Sequence, residues 1–254
     1  MTHILGHRTA LVTGSTSNIG KATAHALATA GAHVVVTGRD DRRGAAVVVE
    51  IRSRGGRADY VGADLDGSVA ASRGLADAAT SLLGGRIDIL VNNAGIFPPA
   101  NTLTAEPDMF DRVYGVNVKA PFFLTQAVVP GMIERGGGVI VNLGSWVARL
   151  SVPVGALYAS TKGAMETLTR AWAAEFGPQG IRVNAVSPGV VLEGDHPAAA
   201  MMTGTPAGRT GTPDEIAAAI VFLCSDDSGF VHGSVLDVDG GRTAVAVLAQ
   251  GLPR

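Results

Sequence analysis

The chain has 254 residues, 46% of them hydrophobic and 17% charged, a balance that excludes a disordered protein and lets a chain of this length bury a large core. The formal net charge is −2 and the basic residues are scattered, so nothing electrostatic draws it to nucleic acid or to an acidic membrane. No apolar run is long enough for a bilayer, the amino terminus lacks a signal-peptide pattern, and Cys224 has no second cysteine to pair with, so a soluble cytoplasmic protein is expected.

In chain order, short β-branched runs alternate with longer Ala-rich stretches. The expected elements are strand 10–13, helix 19–30, strand 33–37, helix 40–53, strand 58–61, helix 68–83 and strand 87–91. They continue as helix 107–134, strand 139–142, helix 156–176, strand 182–186, helix 213–224 and strand 235–238. The strands are apolar throughout rather than alternating, which implies burial on both faces of a parallel sheet. Alternation from end to end predicts an α/β fold, a doubly wound parallel sheet of about seven strands with helices on both faces. No linker or repeat interrupts it, so one domain over 1–254 is expected, with the irregular, Gly/Pro-rich stretch 189–213 as a lid.

The first strand runs into Thr13-Gly14-Ser15-Thr16-Ser17-Asn18-Ile19-Gly20 and then a helix. Small residues there let the backbone approach a pyrophosphate, and free N–H groups at a helix start favour its charge. The alternative is an ordinary strand-to-helix loop. At the end of the second strand, Thr37-Gly38-Arg39 supplies no carboxylate for ribose hydroxyls but does supply a cation for a 2′-phosphate, so NADP(H) is favoured over NAD(H). Asp40 and Asp41 are expected to begin the next helix, while Arg42 and Arg43 either extend the phosphate field or face solvent.

Further along, Tyr158 and Lys162 stand four residues apart in Tyr-Ala-Ser-Thr-Lys, a spacing that puts both on one helix face. An ammonium beside a phenol is expected to lower the phenol's pKa and fit it for proton exchange near neutrality. A bland surface pair has the same spacing. The six histidines show no ligand-like grouping, so no metal is expected.

Taken together, the Thr13–Gly20 turn, Asp64-Leu65, Asn92-Asn93-Ala94-Gly95, Asn117, Ser145, Tyr158-x-x-x-Lys162, Pro188-Gly189 and Asp239-Gly240-Gly241 closely resemble the motifs of the short-chain dehydrogenase/reductase family. The resemblance is to its short-length branch and covers nearly all of the chain from Arg8 to Gly241. It implies a catalytic tetrad of Asn117, Ser145, Tyr158 and Lys162. Tyr158 would exchange the proton with the substrate oxygen and Ser145 would hydrogen-bond that oxygen. Lys162 would hold the phenol's pKa down and bond the nicotinamide ribose, while Asn117 would hold a relay water. It places the cofactor against Gly14, Ser15, Thr16, Asn18, Ile19 and Gly20, with Asp64 at the adenine amino group beside Leu65. Asn92, Ala94 and Gly95 would line the adenosine ribose and hold the central strand, and Pro188, Gly189 and Val191 would flank the nicotinamide. It also implies a homotetramer built through the helices 107–134 and 156–176.

Two positions depart from the family pattern. Asn18 stands where glycine is usual; asparagine is the next most tolerant residue of left-handed backbone. Glu193 stands where a threonine often contacts the carboxamide, and is expected to point elsewhere. By analogy a small-molecule pocket would be built from Ile96, Phe97, the segment 146–154, and a lid carrying His196, Met201 and Met202; its apolar character suits a ketone on an apolar body. Trp146 is either a wall of that pocket or simple packing. Arg149 either meets an acidic substrate group or, as the better expectation, is a solvated loop arginine. The leading expectation is an NADP(H)-dependent carbonyl reductase. The alternatives are a 3-ketoacyl-carrier-protein reductase, which would need a basic rim where only Arg135 is on offer, an NAD-dependent alcohol dehydrogenase, and a non-catalytic dinucleotide sensor.

Overall fold

All seven expected strands form, as β1 (Thr9–Val12), β2 (His33–Gly38), β3 (Arg57–Gly62), β4 (Ile89–Asn92), β5 (Gly138–Leu143), β6 (Ile181–Pro188) and β7 (Val235–Val238). A computed structural model describes residues 4–99, 101–150, 152, 155–192 and 197–246. The strands pair in parallel throughout, in the order β3-β2-β1-β4-β5-β6-β7. Successive side chains leave opposite faces of a strand, so Ala10 and Val12, or Val34 and Val36, join one core while Leu11 and Val35 join the other. The first core is closed by α1 (Asn18–Thr29), α2 (Asp41–Ser53) and α7 (Pro213–Cys224); the second by α3 (Val69–Leu82), α5 (Ala120–Glu134) and α6 (Ala156–Phe176). Two buried faces are why the central strands read as apolar runs, while the edge strands β3 and β7 are partly exposed.

One expected element is divided. The stretch 107–134 is not a single helix but α4 (Pro107–Tyr114), a wide π-type turn at Gly115–Lys119, and α5. Gly115 packs against the loop after β3 so closely that a Cβ would lie 2.7 Å from the Asp66 carbonyl oxygen. The widened turn also buries Asn117, and such turns often mark functional positions.

Because β1 has β2 on one side and β4 on the other, the chain reverses its direction of travel across the sheet there. Such a reversal opens a crevice at the carboxyl ends of the strands. Glu193 and His196, with Ser151, Pro153 and Val154 of the expected pocket segment, lie outside the described residues.

Candidate active site

The crevice between β1 and β4 is floored by the turn after β1. Gly14 (φ 63°) and Asn18 (φ 45°) both take the left-handed conformation, one that asparagine tolerates better than other non-glycine residues. Gly20 admits no side chain, since a Cβ would sit 2.3 Å from the Gly14 carbonyl oxygen. Among the described residues, the N–H groups of Asn18, Ile19 and Gly20 at the start of α1 take no partner, and the Ser17 side chain does not cap them. Unpartnered N–H groups at a helix start form a ready anion cradle.

Not every residue of the turn is available. The N–H of Ser15 donates to the Thr37 carbonyl (2.9 Å), and its Oγ donates to Val12 O (2.7 Å) and accepts from Thr37 N (2.9 Å). Ser15 therefore clips β1 to β2, and its expected cofactor contact is corrected to a structural one. Asn93 braces the cradle: its Nδ2 donates to Thr13 O (2.7 Å) and Gly14 O (3.1 Å).

At the far end of β2, Arg39 is exposed and its Nε lies 4.0 Å from an Asp64 carboxylate oxygen. These two expected residues are thus brought together at one rim, while Leu65 beside them is buried. At Gly38 a Cβ would meet the Thr16 methyl group at 2.7 Å, so Thr16 would have to turn aside for any larger residue. Asp40 caps α2 by accepting from Arg43 N (2.9 Å), and Arg43 turns back to Asp40 (3.3 Å). Asn92, expected at the ribose, faces the second core instead: its Nδ2 donates to Asn142 Oδ1 (2.9 Å), and Asn142 Nδ2 donates to Thr169 Oγ1 (2.9 Å). Asn92 stands two residues after Leu90 along β4, so its side chain leaves the same face and holds the strands together.

The four residues expected to form the tetrad converge at the carboxyl end of β5. Ser145 leaves that strand and its Oγ accepts from Val147 N (3.4 Å). On α6, the Tyr158 ring packs against Phe97 (centroids 4.7 Å apart). Lys162 is buried, with Nζ donating to Leu143 O (2.7 Å) and lying 5.6 Å from the Tyr158 ring centre. Asn117 Oδ1 accepts from Ile96 N (2.8 Å), and its Nδ2 donates to Ile96 O (3.0 Å) and Thr161 Oγ1 (3.1 Å). Gly95 keeps the space between them open, since a Cβ there would stand 3.4 Å from Asn117 Oδ1 and 3.7 Å from Lys162 Nζ.

One electrostatic expectation is reversed. Burial pushes the Tyr158 phenol up to about 12, against a smaller lowering by the Ser145 hydroxyl. Lys162 stands over the ring and is itself pushed down to about 8 by burial, so loss of water is the largest influence on both groups. At neutral pH the pair is a protonated phenol beside a mostly protonated amine.

A family model described as Enoyl-(Acyl carrier protein) reductase matches residues 14–243, most of the chain. The chain belongs to the short-chain dehydrogenase/reductase family. An uncharacterized oxidoreductase of Methylorubrum extorquens is 42% identical over 244 residues, covering 92% of this chain and 97% of the relative. A solved short chain dehydrogenase/reductase family protein is 44% identical with a TM-score of 0.86, over 95% of this chain and 99% of that one. A gluconate 5-dehydrogenase from Burkholderia cenocepacia, solved with NADP and tartrate, is 38% identical with a TM-score of 0.89, over 95% and 97%. This chain is accordingly an NAD(P)-dependent oxidoreductase acting on alcohols or ketones.

In this dehydrogenase/reductase the region beyond β6 is organised around backbone contacts. Gly189 packs on Asp239, where a Cβ would come within 2.7 Å of the Asp239 Cα, and its N–H donates to Val238 O (3.0 Å). Val191 pairs with Gly211 as an isolated bridge. Asp239 locks its own turn by accepting from Gly241 N (2.9 Å) and Thr243 N (2.8 Å). Pro188 stays within the sheet as the last residue of β6, in register with Val238.

The expected substrate residues separate. Phe97 and Met201 are exposed, at 57% and 39%. Trp146 is buried with Val190 and Met202 in a small cluster of its own, and Arg242 lies 5.1 Å above its ring. Packing is therefore the role the structure gives Trp146, a correction to the wall reading. Arg149 is exposed, as expected of a loop arginine, but it is not free: it forms a two-pronged pair with Asp237, donates to Ser187 Oγ (3.0 Å), and approaches Glu166 (3.6 Å). Glu166 is buried, with its carboxyl pushed up chiefly by that burial. Among the described residues, no group of His, Cys, Asp or Glu could hold a metal, and no helix is long and apolar enough to cross a membrane.

Proposed function

We propose that this protein is an NADP(H)-dependent carbonyl reductase that interconverts a ketone or aldehyde and its alcohol, with Tyr158 as the proton donor. The observation that carries this reading is the convergence of a protonated Tyr158, Ser145 and Lys162 beside the open space left by Gly95. The residues suit the dinucleotide: the free N–H groups of Asn18, Ile19 and Gly20 take the pyrophosphate, Arg39 the 2′-phosphate, and Asp64 the adenine amino group. Gly14, Thr16, Ala94, Gly95, Pro188, Gly189 and Val191 offer close backbone approach along the way. When bound, the nicotinamide supplies the hydride in reduction and accepts it in oxidation.

The chain's own residues handle the proton. Tyr158 Oη gives its proton to the carbonyl oxygen, and a phenol held near 12 is fully loaded at neutral pH to do so. Ser145 Oγ donates to the same oxygen, where negative charge grows. Lys162 then stabilises the phenolate left behind, and Asn117 holds the loop bearing Ile96 against α6 and a water for the proton's return. Phe97 and Met201, both exposed, offer apolar contacts for the substrate body.

Fluorescence titration with NADPH and NADH in parallel tests the cofactor assignment without a known substrate. Tighter NADPH binding that is lost in Arg39→Ala supports it; equal losses for both cofactors refute it. An NAD-dependent alcohol dehydrogenase is the second reading, favoured by Arg39 leaning on Asp64 at 4.0 Å, which offsets the cation meant for a 2′-phosphate. A carrier-protein reductase is disfavoured because Arg135, the one basic residue expected for its rim, lies at the amino edge of the sheet, away from Tyr158.

We further propose a single cytoplasmic domain that assembles as a homotetramer, with 189–213 as a substrate lid. An open apolar hollow of about 610 Å³ between α5 and α6, lined by Val118, Phe122, Phe123, Ala164 and Leu168, supports pairing through these helices. Sedimentation as a monomer at micromolar concentration would falsify the assembly.

A further inference from the structure

The end of the sheet opposite Tyr158 holds a polar cavity of about 260 Å³, lined by Arg8, Arg86, Arg135 and Arg182 with Asp88 and Asp226. These residues come from five places in the sequence: just before β1, just before β4, the loop between α5 and β5, the start of β6, and the turn after α7. The cavity exists because the walls behind it carry no side chains. A Cβ on Gly137 would meet Gly180 O at 2.7 Å, and one on Gly180 would meet Gly136 O at 2.6 Å, so the two loops pass back to back.

The charges do not balance. Four guanidinium groups face two carboxylates, which leaves a formal surplus of +4 − 2 = +2. Each guanidinium has five N–H donors. Arg182 uses its Nη groups on the end of α7, donating to Leu223 O (2.9 Å), Ser225 O (2.9 Å) and Ser228 O (3.1 Å). Arg86 gives Nε (3.0 Å) and Nη2 (2.7 Å) to Asp88, Arg8 gives Nη2 to Asp226 (3.1 Å), and Arg135 gives Nη2 to Ile87 O (3.2 Å). Nη1 of each of these three, and Nε of Arg8 and Arg135, take no partner among the described residues. Burial lowers the pKa of Arg182, against smaller raising effects of Cys224 and Asp226.

We propose that this cavity is a binding site for a compact phosphate-type oxyanion, held by the unused donors of Arg8, Arg86 and Arg135. Arginine forks match tetrahedral oxyanions in both geometry and charge. The volume falls just under the range of roughly 300–1,000 Å³ typical of drug-sized ligands, so the occupant is small. Bound there, it ties the starts of β1 and β4 to the loop before β5, and it neutralises the surplus charge. The site is separate from the dinucleotide crevice, which lies at the other ends of the same strands.

The test is calorimetric titration of the NADPH-saturated protein, whose phosphate turn is already filled, with inorganic phosphate and with glycerol 3-phosphate, and with sodium chloride at matched ionic strength as the control. One phosphate per chain is expected, with Arg135→Gln weakening it at least tenfold, about 1.4 kcal/mol, while the NADPH affinity stays unchanged. Phosphate binding better than the ester assigns the free ion, and the reverse order assigns a phosphate monoester. Arg8→Gln serves as a second variant should Arg135→Gln fail to fold. Absence of a saturable heat, equal binding by both variants and wild type, or the same response to chloride overturns the proposal.

Discussion

Two buried charges, at opposite ends of the sheet, are treated in contrasting ways. Asp88, before β4, accepts from Thr9 N (2.8 Å), Thr9 Oγ1 (3.0 Å) and two Arg86 nitrogens (3.0 and 2.7 Å). Lys162, at the carboxyl end, has one carbonyl, Leu143 O, and the edge of an aromatic pocket. The first charge is satisfied and clamps two strand starts together. The second is left short of partners and is pushed down to about 8 by burial. The amino end is built for holding the fold, and the carboxyl end keeps groups in costly states that chemistry can use.

The contrast breaks most sharply at Tyr158. Tyr158→Phe removes the proton donor while preserving the ring's packing on Phe97, and the turnover rate should fall by about 10²–10⁴-fold with the melting temperature and NADPH affinity unchanged. Steady-state kinetics beside a thermal melt decide it, and retained turnover would sink the proton-donor role. At the other end, Asp88→Ala should do the reverse. It strands the Thr9 N–H and the Arg86 charge and should cost about 3 kcal/mol of stability, the low end for a broken buried pair because Arg86 reaches solvent. Denaturant unfolding measures it.

Lys162→Met should cripple turnover yet stabilise the protein. Below about 8 the folded and unfolded states both hold the lysine proton, and the buried charge weighs on the folded state in full. As the pH climbs from about 8 toward the ordinary 10.5, the folded state sheds its proton first and the burden fades. The shift amounts to about 3 kcal/mol, less about 1 for the Leu143 carbonyl left unpaired. The variant should therefore gain about 2 kcal/mol at pH 7, and this advantage over wild type should shrink through the window from 8 to 10.5. An advantage that stays constant with pH would show that charge burial is not its source.

Smaller effects sharpen the same comparison at the dinucleotide end. Arg39→Ala should weaken NADPH by about tenfold, the value of a charged hydrogen bond at an exposed rim, and leave NADH nearly unchanged in a parallel titration. Asn18→Gly should relieve a left-handed asparagine (φ 45°), raising stability by under about 1 kcal/mol without changing the cradle's N–H groups. A loss of stability would mean that the Asn18 side chain holds the turn.

Much of this was legible in one dimension. The strand positions, the two faces of the sheet, the left-handed Asn18 and the capping role of Asp40 follow from local backbone preferences and hydrophobic periodicity, which neighbouring residues dictate. Tyr158 and Lys162 share a face because four residues make one helical turn. Side-chain partners across the fold obeyed no such rule. That Ser15 is consumed by β2, that Asn92 turns from the crevice to Asn142, that Trp146 packs inward and that Arg149 pairs with Asp237 depend on segments far apart in the sequence. The break at Gly115 answers to the Asp66 carbonyl, 49 positions earlier by the numbering, not to anything within its own helix. The Tyr158 phenol was expected to fall and instead rises to about 12, because spacing reports which charge is near but not how much water is lost. Composition and periodicity determined the elements and their order. Burial and long-range contact decided which polar groups are paired, and therefore which remain free to act.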